Sequence, residues 1–181
     1  MAIELVYETH AITTDNEAGI ATGWLPGELS VAGRVSAAEL GVRRRLDRIE
    51  TVYVSDLRRA VETAQIAFEG SPIPIEQDAR LRECNYGRLN GMPRATLEAE
   101  RVKRIDRPWP GGESYLDVVD RTAAFLTDLA GHADGTRVLV IAHSANQWAL
   151  EQLLRDRDLR ALVAAGMTWQ PGWESNPTSP V

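Results

Sequence analysis

Cysteine is almost absent. Cys84 stands alone, so no disulfide can close within the chain, and a reducing compartment fits that usage. Lysine is nearly missing as well: of 20 basic residues only Lys103 is not an arginine, against 26 acidic residues and a net charge of −6. A chain of that balance is not built to hold nucleic acid, whose phosphates demand a basic surface. No apolar run is long enough to span a bilayer, and the first residues show no basic stretch ahead of an apolar core. A cytoplasmic protein with neither a membrane nor a nucleic-acid partner is the expectation. The three histidines lack His-x-x-x-His spacing, and no Gly-x-Ser-x-Gly elbow occurs. Metal-dependent and serine hydrolase chemistry are therefore poorly supported, and no metal or other cofactor is expected.

What is present reads as one ordinary globular domain of 181 residues with 44% hydrophobic content, long enough to bury a substantial core. Strand and helix signals alternate. Ile3–Tyr7 is a short apolar run that feeds a polar segment carrying His10. A glycine-rich loop follows, then Ser30 as a helix N-cap, with Ala37, Leu40 and Gly41 on the inner side of a helix running to about Leu46. Arg43–Arg45 reads as a solvated face of that helix. Thr51–Val54 is a β-branched strand, followed by a helix with Ala60, Val61, Ala64 and Ala67 as its apolar positions. Pro72 and Pro74 flank an extended piece. Residues Arg82 to Pro110 are irregular, with one modest helix near Arg94–Arg104, and such long excursions are usually lids or pocket walls.

Ser114 caps a helix carrying Leu116, Val119, Ala123, Leu126 and Leu129, ending near Gly131, beside which His132 reads as a helix-end residue. Arg137–Ala142 is apolar after its first residue, as a central parallel strand should be, and delivers His143 to a helix starting near Ser144. Trp169 and Trp173 are expected to close the core, and the tail from Gly172 to fray. The alternation predicts an α/β fold, a three-layer α/β/α sandwich with a mostly parallel central sheet.

Parallel strands would bring His10, the Ser55–Arg59 segment and His143 onto one rim, where helix amino termini favour anions. Two histidines and an arginine suit a phosphoryl group. A neutral imidazole can attack phosphorus, and Glu83 is the natural acid for the departing oxygen. The plain alternatives are a surface carboxylate for Glu83 and a turn cap for Asn16.

These residues resemble the histidine phosphatase superfamily, the group that includes cofactor-dependent phosphoglycerate mutases. The family's Arg-His-Gly-Glu-Thr-x-x-Asn stands here as Thr9-His10-Ala11-Ile12-Thr13-Thr14-Asp15-Asn16, continued by Leu29-Ser30-Val31-Ala32-Gly33. Its Ser-x-Leu-x-Arg-Ala-x-x-Thr-Ala is complete as Ser55–Ala64. Leu81-Arg82-Glu83 with Tyr86-Gly87 and Gly91, then Pro110–Ser114, then Val138–Ser144 complete a likeness spanning residues 3–155. The resemblance implies that His10 becomes phosphohistidine, Arg59 binds the phosphoryl oxygens, His143 donates to them, and Glu83 acts as acid and then as base. Asn16, the amide of Gly23 and Ser144 would line the same pocket.

The departures are as informative. Thr9 replaces the arginine ahead of the nucleophile, Ala11 and Ile12 replace glycine and glutamate, and Ser144-Ala145 replaces the frequent Gly-Gly. Losing one charge-assisted contact would remove on the order of 2–4 kcal/mol of transition-state stabilisation. Arg82, Arg88, Arg94 and Arg104 are candidates to fill the gap. The leading expectation is a metal-independent phosphatase of a small phosphorylated metabolite. A non-catalytic phosphometabolite-binding protein is the alternative, and a mutase is disfavoured because the loop region lacks a long insertion. Oligomeric state, a homodimer included, is left open.

Overall fold

The computed structural model describes residues 3–132, 135–168 and 172–175. Among them the strands are β1 (Glu4–Thr9), β2 (Ile20–Ala21), β3 (Thr51–Val54), β4 (Ile75–Gln77), β5 (Met92–Pro93), β6 (Arg137–Ala142) and β7 (Trp173–Ser175). Five form the main sheet in the order β4-β3-β6-β1-β7, parallel except for β7, which runs antiparallel to β1. The helices are α1 (Thr14–Glu17), α2 (Val31–Arg44), α3 (Arg58–Ala67), α4 (Arg94–Glu100), α5 (Tyr115–His132), α6 (Ser144–Arg155) and α7 (Leu159–Ala165). No helix among the described residues is long and apolar enough to cross a membrane.

The pleat sorts the core into two layers. Val6, Val52, Val54, Leu139 and Ile141 point to one face, against Leu40 of α2 and Ala60, Ala64 and Ala67 of α3. Leu5, Tyr7, Val138 and Val140 point to the other, against Phe125, Leu126 and Leu129 of α5 and Leu150 of α6. Each fully buried aliphatic side chain contributes roughly 1.5–3 kcal/mol. With both faces covered, the central strands carry apolar residues at successive positions, which is why β6 has no polar alternation. The three-layer α/β/α architecture is the one expected.

Several local expectations are corrected. Along α5 the expected Val119, Leu126 and Leu129 are buried and are joined by Tyr115, Val118 and Phe125, whereas Leu116 is exposed and Ala123 half-buried. Val61 is only half-buried. Arg43–Arg45 is a solvated face only in part: Arg45 is exposed and Arg43 half-buried. Arg44 is buried, its Nε bonding Glu8 at 2.9 Å while Nη1 reaches Asp47 at 2.9 Å and Glu174 at 3.2 Å. Arg43 also reaches Glu8, and Arg45 caps the carbonyl of Ala67 at 2.5 Å. The reason is a carboxylate that period-reading overlooks: Glu8, the fifth of the six residues of β1, is buried and needs a cation. The same cluster holds the chain after Gly172, whose amide donates to Glu8 at 3.1 Å. Residues 173–175 therefore form β7 instead of fraying, with Trp173 stacked on Tyr7 at 5.6 Å. Trp169 lies outside the described residues. His132 is the last residue of α5, as expected.

The excursion from Arg82 to Pro110 is more ordered than its punctuation suggests. Tyr86, Met92, Ile105 and Trp109 are buried with Tyr115, Val118 and Trp148 in a third core cluster, and β5 pairs with β2 in a two-stranded ribbon. Single-turn 3₁₀ pieces at Gly87–Leu89 and Arg101–Arg104 carry the chain between these anchors. This excursion forms one wall of the cavity described next.

Candidate active site

Register sets the site. Thr9 pairs with Ala142 across the parallel β1–β6 ladder, so the next residue of each strand, His10 and His143, leaves the sheet side by side with ring centroids 5.0 Å apart. The amide of His10 continues the ladder to the Ala142 carbonyl, and that of Ser55, just past β3, bonds the Ile141 carbonyl. Three strand ends thus open on one rim, and α3 begins two residues after Asp56 to present Arg59. Thr13 caps α1 in a reciprocal capping box with Asn16, which fixes the turn after His10. At Gly33 a Cβ would lie 1.8 Å from the Ile12 carbonyl, so only glycine lets the first turn of α2 pack against this segment.

His10 has its Nδ1 2.7 Å from the Ala11 carbonyl. A carbonyl only accepts, so Nδ1 carries the proton and Nε2 keeps its lone pair. That lone pair faces the guanidinium of Arg59, whose Nε lies 3.4 Å away. Burial, reinforced by the Arg59 charge, pushes the His10 pKa down to about 3. The imidazole is neutral across the physiological range.

Arg59 is buried and, among the described residues, bonds only neutral acceptors: Nη1 to the Leu25 carbonyl at 3.0 Å, Nη2 to the Gly23 carbonyl at 2.8 Å, and Nη2 to Nδ1 of His143 at 3.3 Å. Burial holds its pKa below the ordinary value, with Glu83 opposing. Because a guanidinium cannot accept, His143 accepts through Nδ1 and donates from Nε2 to the Ser55 hydroxyl at 2.9 Å. Its pKa is held well below the ordinary value by burial, then by Arg59 and His10. His143 is fully buried and lies behind Arg59, off the cavity wall.

Glu83 is buried at the cavity, one carboxylate oxygen accepting from the Cys84 amide at 2.7 Å and the other from the Ser144 hydroxyl at 2.9 Å. It is not a surface carboxylate. The cavity, about 640 Å³, is lined by Thr9, His10, Asn16, Gly23, Arg59, Glu83 and Ser144 among others. Of the sequence-derived candidates, His10, Arg59, Glu83, Asn16, Gly23 and Ser144 meet on one cavity, and His143 is one side chain removed. Asn16 serves both readings, capping α1 and lining the wall. Gly23 contributes through its carbonyl, which anchors Arg59.

The replacements suggested for the arginine missing at Thr9 fare unequally. Arg82 is committed to Asp56 through two bonds of 2.7 and 2.6 Å. Arg88 is exposed, Arg104 lies over the Trp109 ring, and neither lines the cavity. Arg94 lines it, paired with Glu98. The sequence reading missed Arg101, also on the wall, and Trp24. The Trp24 indole donates to the Glu83 carbonyl at 2.7 Å, its ring lies under the Arg82 guanidinium, and its amide bonds Asn90. A tryptophan within a glycine-rich loop was the available signal. Among the described residues no group of three or more His, Cys, Asp or Glu could hold a metal ion.

Comparison with known proteins gives the family. The model of the histidine phosphatase superfamily (branch 1) matches residues 9–168. The chain is 32% identical to the glucosyl-3-phosphoglycerate phosphatase of Mycobacterium tuberculosis, over 95% of this chain and 84% of that protein. It is 31% identical to the 2,3-bisphosphoglycerate-dependent phosphoglycerate mutase of Cytophaga hutchinsonii, over 81% of this chain and 74% of that one. Among solved structures, mycobacterial hydrolase 1 superposes with a TM-score of 0.85 at 25% identity, covering 96% of this chain and 90% of that one. A mycobacterial glucosyl-3-phosphoglycerate phosphatase complexed with VO3 does so with a TM-score of 0.78 at 29% identity, covering 89% and 86%. With the family model matching most of the chain, the protein belongs to the histidine phosphatase superfamily.

Proposed function

We propose that this protein is a metal-independent phosphatase that hydrolyses a small phosphorylated metabolite through a phosphohistidine at His10. The observation that carries the reading is the tautomer of His10: Nδ1 is tied to a carbonyl, and the Nε2 lone pair faces a buried guanidinium that has no carboxylate bonded to it among the described residues. A phosphoryl group drawn to that cation would meet a nucleophile already deprotonated and oriented.

In the first step the Nε2 lone pair forms a bond to phosphorus while the ester P–O bond breaks and its electrons go to the leaving oxygen. Glu83, in its acid form, gives that oxygen a proton. In the second step the Glu83 carboxylate takes a proton from water, the oxygen attacks phosphorus, and the P–N bond breaks to return neutral His10 and free phosphate. Arg59 supplies N–H donors by exchanging its bonds to His10 and His143 for phosphoryl oxygens, while the Gly23 and Leu25 carbonyls keep it aimed. His143 acts behind it, accepting from Arg59. Acid-quench trapping with ³²P-labelled substrate tests this: labelled protein is expected from the wild type and none from His10→Ala. Turnover by His10→Ala excludes the mechanism.

Thr9 favours a second reading, a phosphometabolite-binding protein of the same fold, because one forked cation is missing from the anion site. It predicts a thermal shift with inorganic phosphate but neither labelled protein nor turnover.

A further inference from the structure

The cavity is much larger than the group it would cleave. A phosphoryl group fills on the order of two waters' volume, about 60 Å³, against about 640 Å³ available. The remainder has a definite chemistry. Ile12, Ile20, Leu97, Trp148 and Met167 line it, with Trp148 held edge-on by Tyr115 at 5.5 Å. The charged residues on the wall cancel: Arg59, Arg94 and Arg101 stand against Glu17, Glu83 and Glu98. The two arginines beyond the phosphoryl end differ in their partners. Arg94 bonds Glu98 at 2.9 Å, whereas Arg101 donates to the Ala164 carbonyl at 3.1 Å and keeps a buried Nε without a partner among the described residues. Of the changes at the anion end, Thr9 subtracts a positive charge and Ile12 a negative one, which puts a further aliphatic side chain on the wall.

A ligand with negative charge beyond its phosphoryl group would meet a wall on which guanidiniums and carboxyl groups are equal in number, with Arg94 already paired to Glu98. An apolar group would cover the aliphatic and indole surface at no electrostatic cost. We propose that the pocket takes phosphate monoesters whose leaving group is uncharged and apolar, in preference to phosphoglycerates and other esters with further negative charge. This rests on the phosphatase reading above and adds a substrate class to it.

The test compares kcat/KM of the full chain for benzyl phosphate, glycerol 3-phosphate and 3-phosphoglycerate. All three leave as alkoxides, which keeps differences in intrinsic reactivity small. Benzyl phosphate is expected to exceed 3-phosphoglycerate at least tenfold, with glycerol 3-phosphate between them. Leu97→Arg, which puts a cation on the half-buried apolar wall, is expected to shrink that ratio at least fivefold. Equal or higher kcat/KM for 3-phosphoglycerate in the wild type overturns the proposal. If no ester is turned over, the phosphatase reading fails instead, and the class is then decided by calorimetric Kd for the same three compounds. At least tenfold tighter binding of benzyl phosphate upholds it, and equal or weaker binding overturns it.

Discussion

Two buried arginines divide the molecule. Arg44, at the far end of α2, is surrounded by carboxylates from Glu8, Asp47 and Glu174. Burial works against its charge, but the bonds from Asp47 and Glu8 outweigh that, and its pKa is raised. Arg59, on the rim, bonds carbonyls and imidazoles, and burial pulls its pKa down. The first charge is neutralised within the fold and ties β7 to β1. The second is desolvated and fixed in place without a counter-ion bonded to it among the described residues, a state that costs folding free energy and is relieved when an anion arrives. Buried charge alone does not mark a site. Its partners decide.

Arg59→Ala probes the contrast with the largest effect. Activity is expected to fall about 10³-fold in kcat/KM, the scale of losing a preorganised transition-state donor. Its Tm is expected to move by only a few degrees, because no carboxylate is left unpaired. Glu8→Gln is the opposite case. It leaves Arg44 short of a charged partner in a buried place, with Asp47 and Glu174 remaining, and a loss of roughly 2–3 kcal/mol is expected by urea denaturation. Its kcat/KM is expected to stay at the wild-type value. If both variants lost stability equally, the distinction would collapse.

The third prediction concerns pH. His10 has a folded pKa of about 3, below the ordinary 6.5 of an unfolded histidine. Between those values the unfolded chain binds a proton that the folded one does not, so this residue's contribution makes stability fall as pH drops from about 6.5 towards 3. Above 6.5 the contribution is flat. Urea midpoints measured from pH 4 to 7 are expected to vary less steeply in His10→Ala than in the wild type. By the same argument no acid limb of kcat/KM near pH 6.5 arises from His10. The smallest effect is expected from Trp24→Phe, which keeps an aromatic ring under Arg82 but removes the indole donor to the Glu83 carbonyl. A three- to tenfold drop in kcat is expected, with a displaced pH profile and little change in Tm; an unchanged profile would mean that Trp24 does not position Glu83.

Much of this was legible in the chain because it depends on local order. The apolar run of β6 and the complete Ser55–Ala64 motif each carry their signal within ten residues. The placement of His10 and His143 followed from each being the first residue past a parallel strand. The burial of Arg44 was not legible because Glu8 and its partners Arg43, Arg44 and Gly172 lie 35, 36 and 164 residues apart, and periodicity carries no information at that range. β7 was missed for the same reason: three residues form a strand only because β1 offers an edge and the Glu8 cluster a tether. The role of the Gly23 and Leu25 carbonyls was invisible, since every residue has a carbonyl and only the folded loop aims these two.

The sequence by itself determined the layers, the parallel sheet and the set of chemical groups, since hydrophobic period and motif spacing are local properties of the chain. Tertiary structure alone decided which nitrogen of His10 is free, that His143 stands behind Arg59, that Arg94 and Arg101 reach the wall while Arg82 does not, and that the wall is charge-balanced. These depend on distances between residues far apart in the chain, and electrostatic and hydrogen-bonding energies are set by such distances.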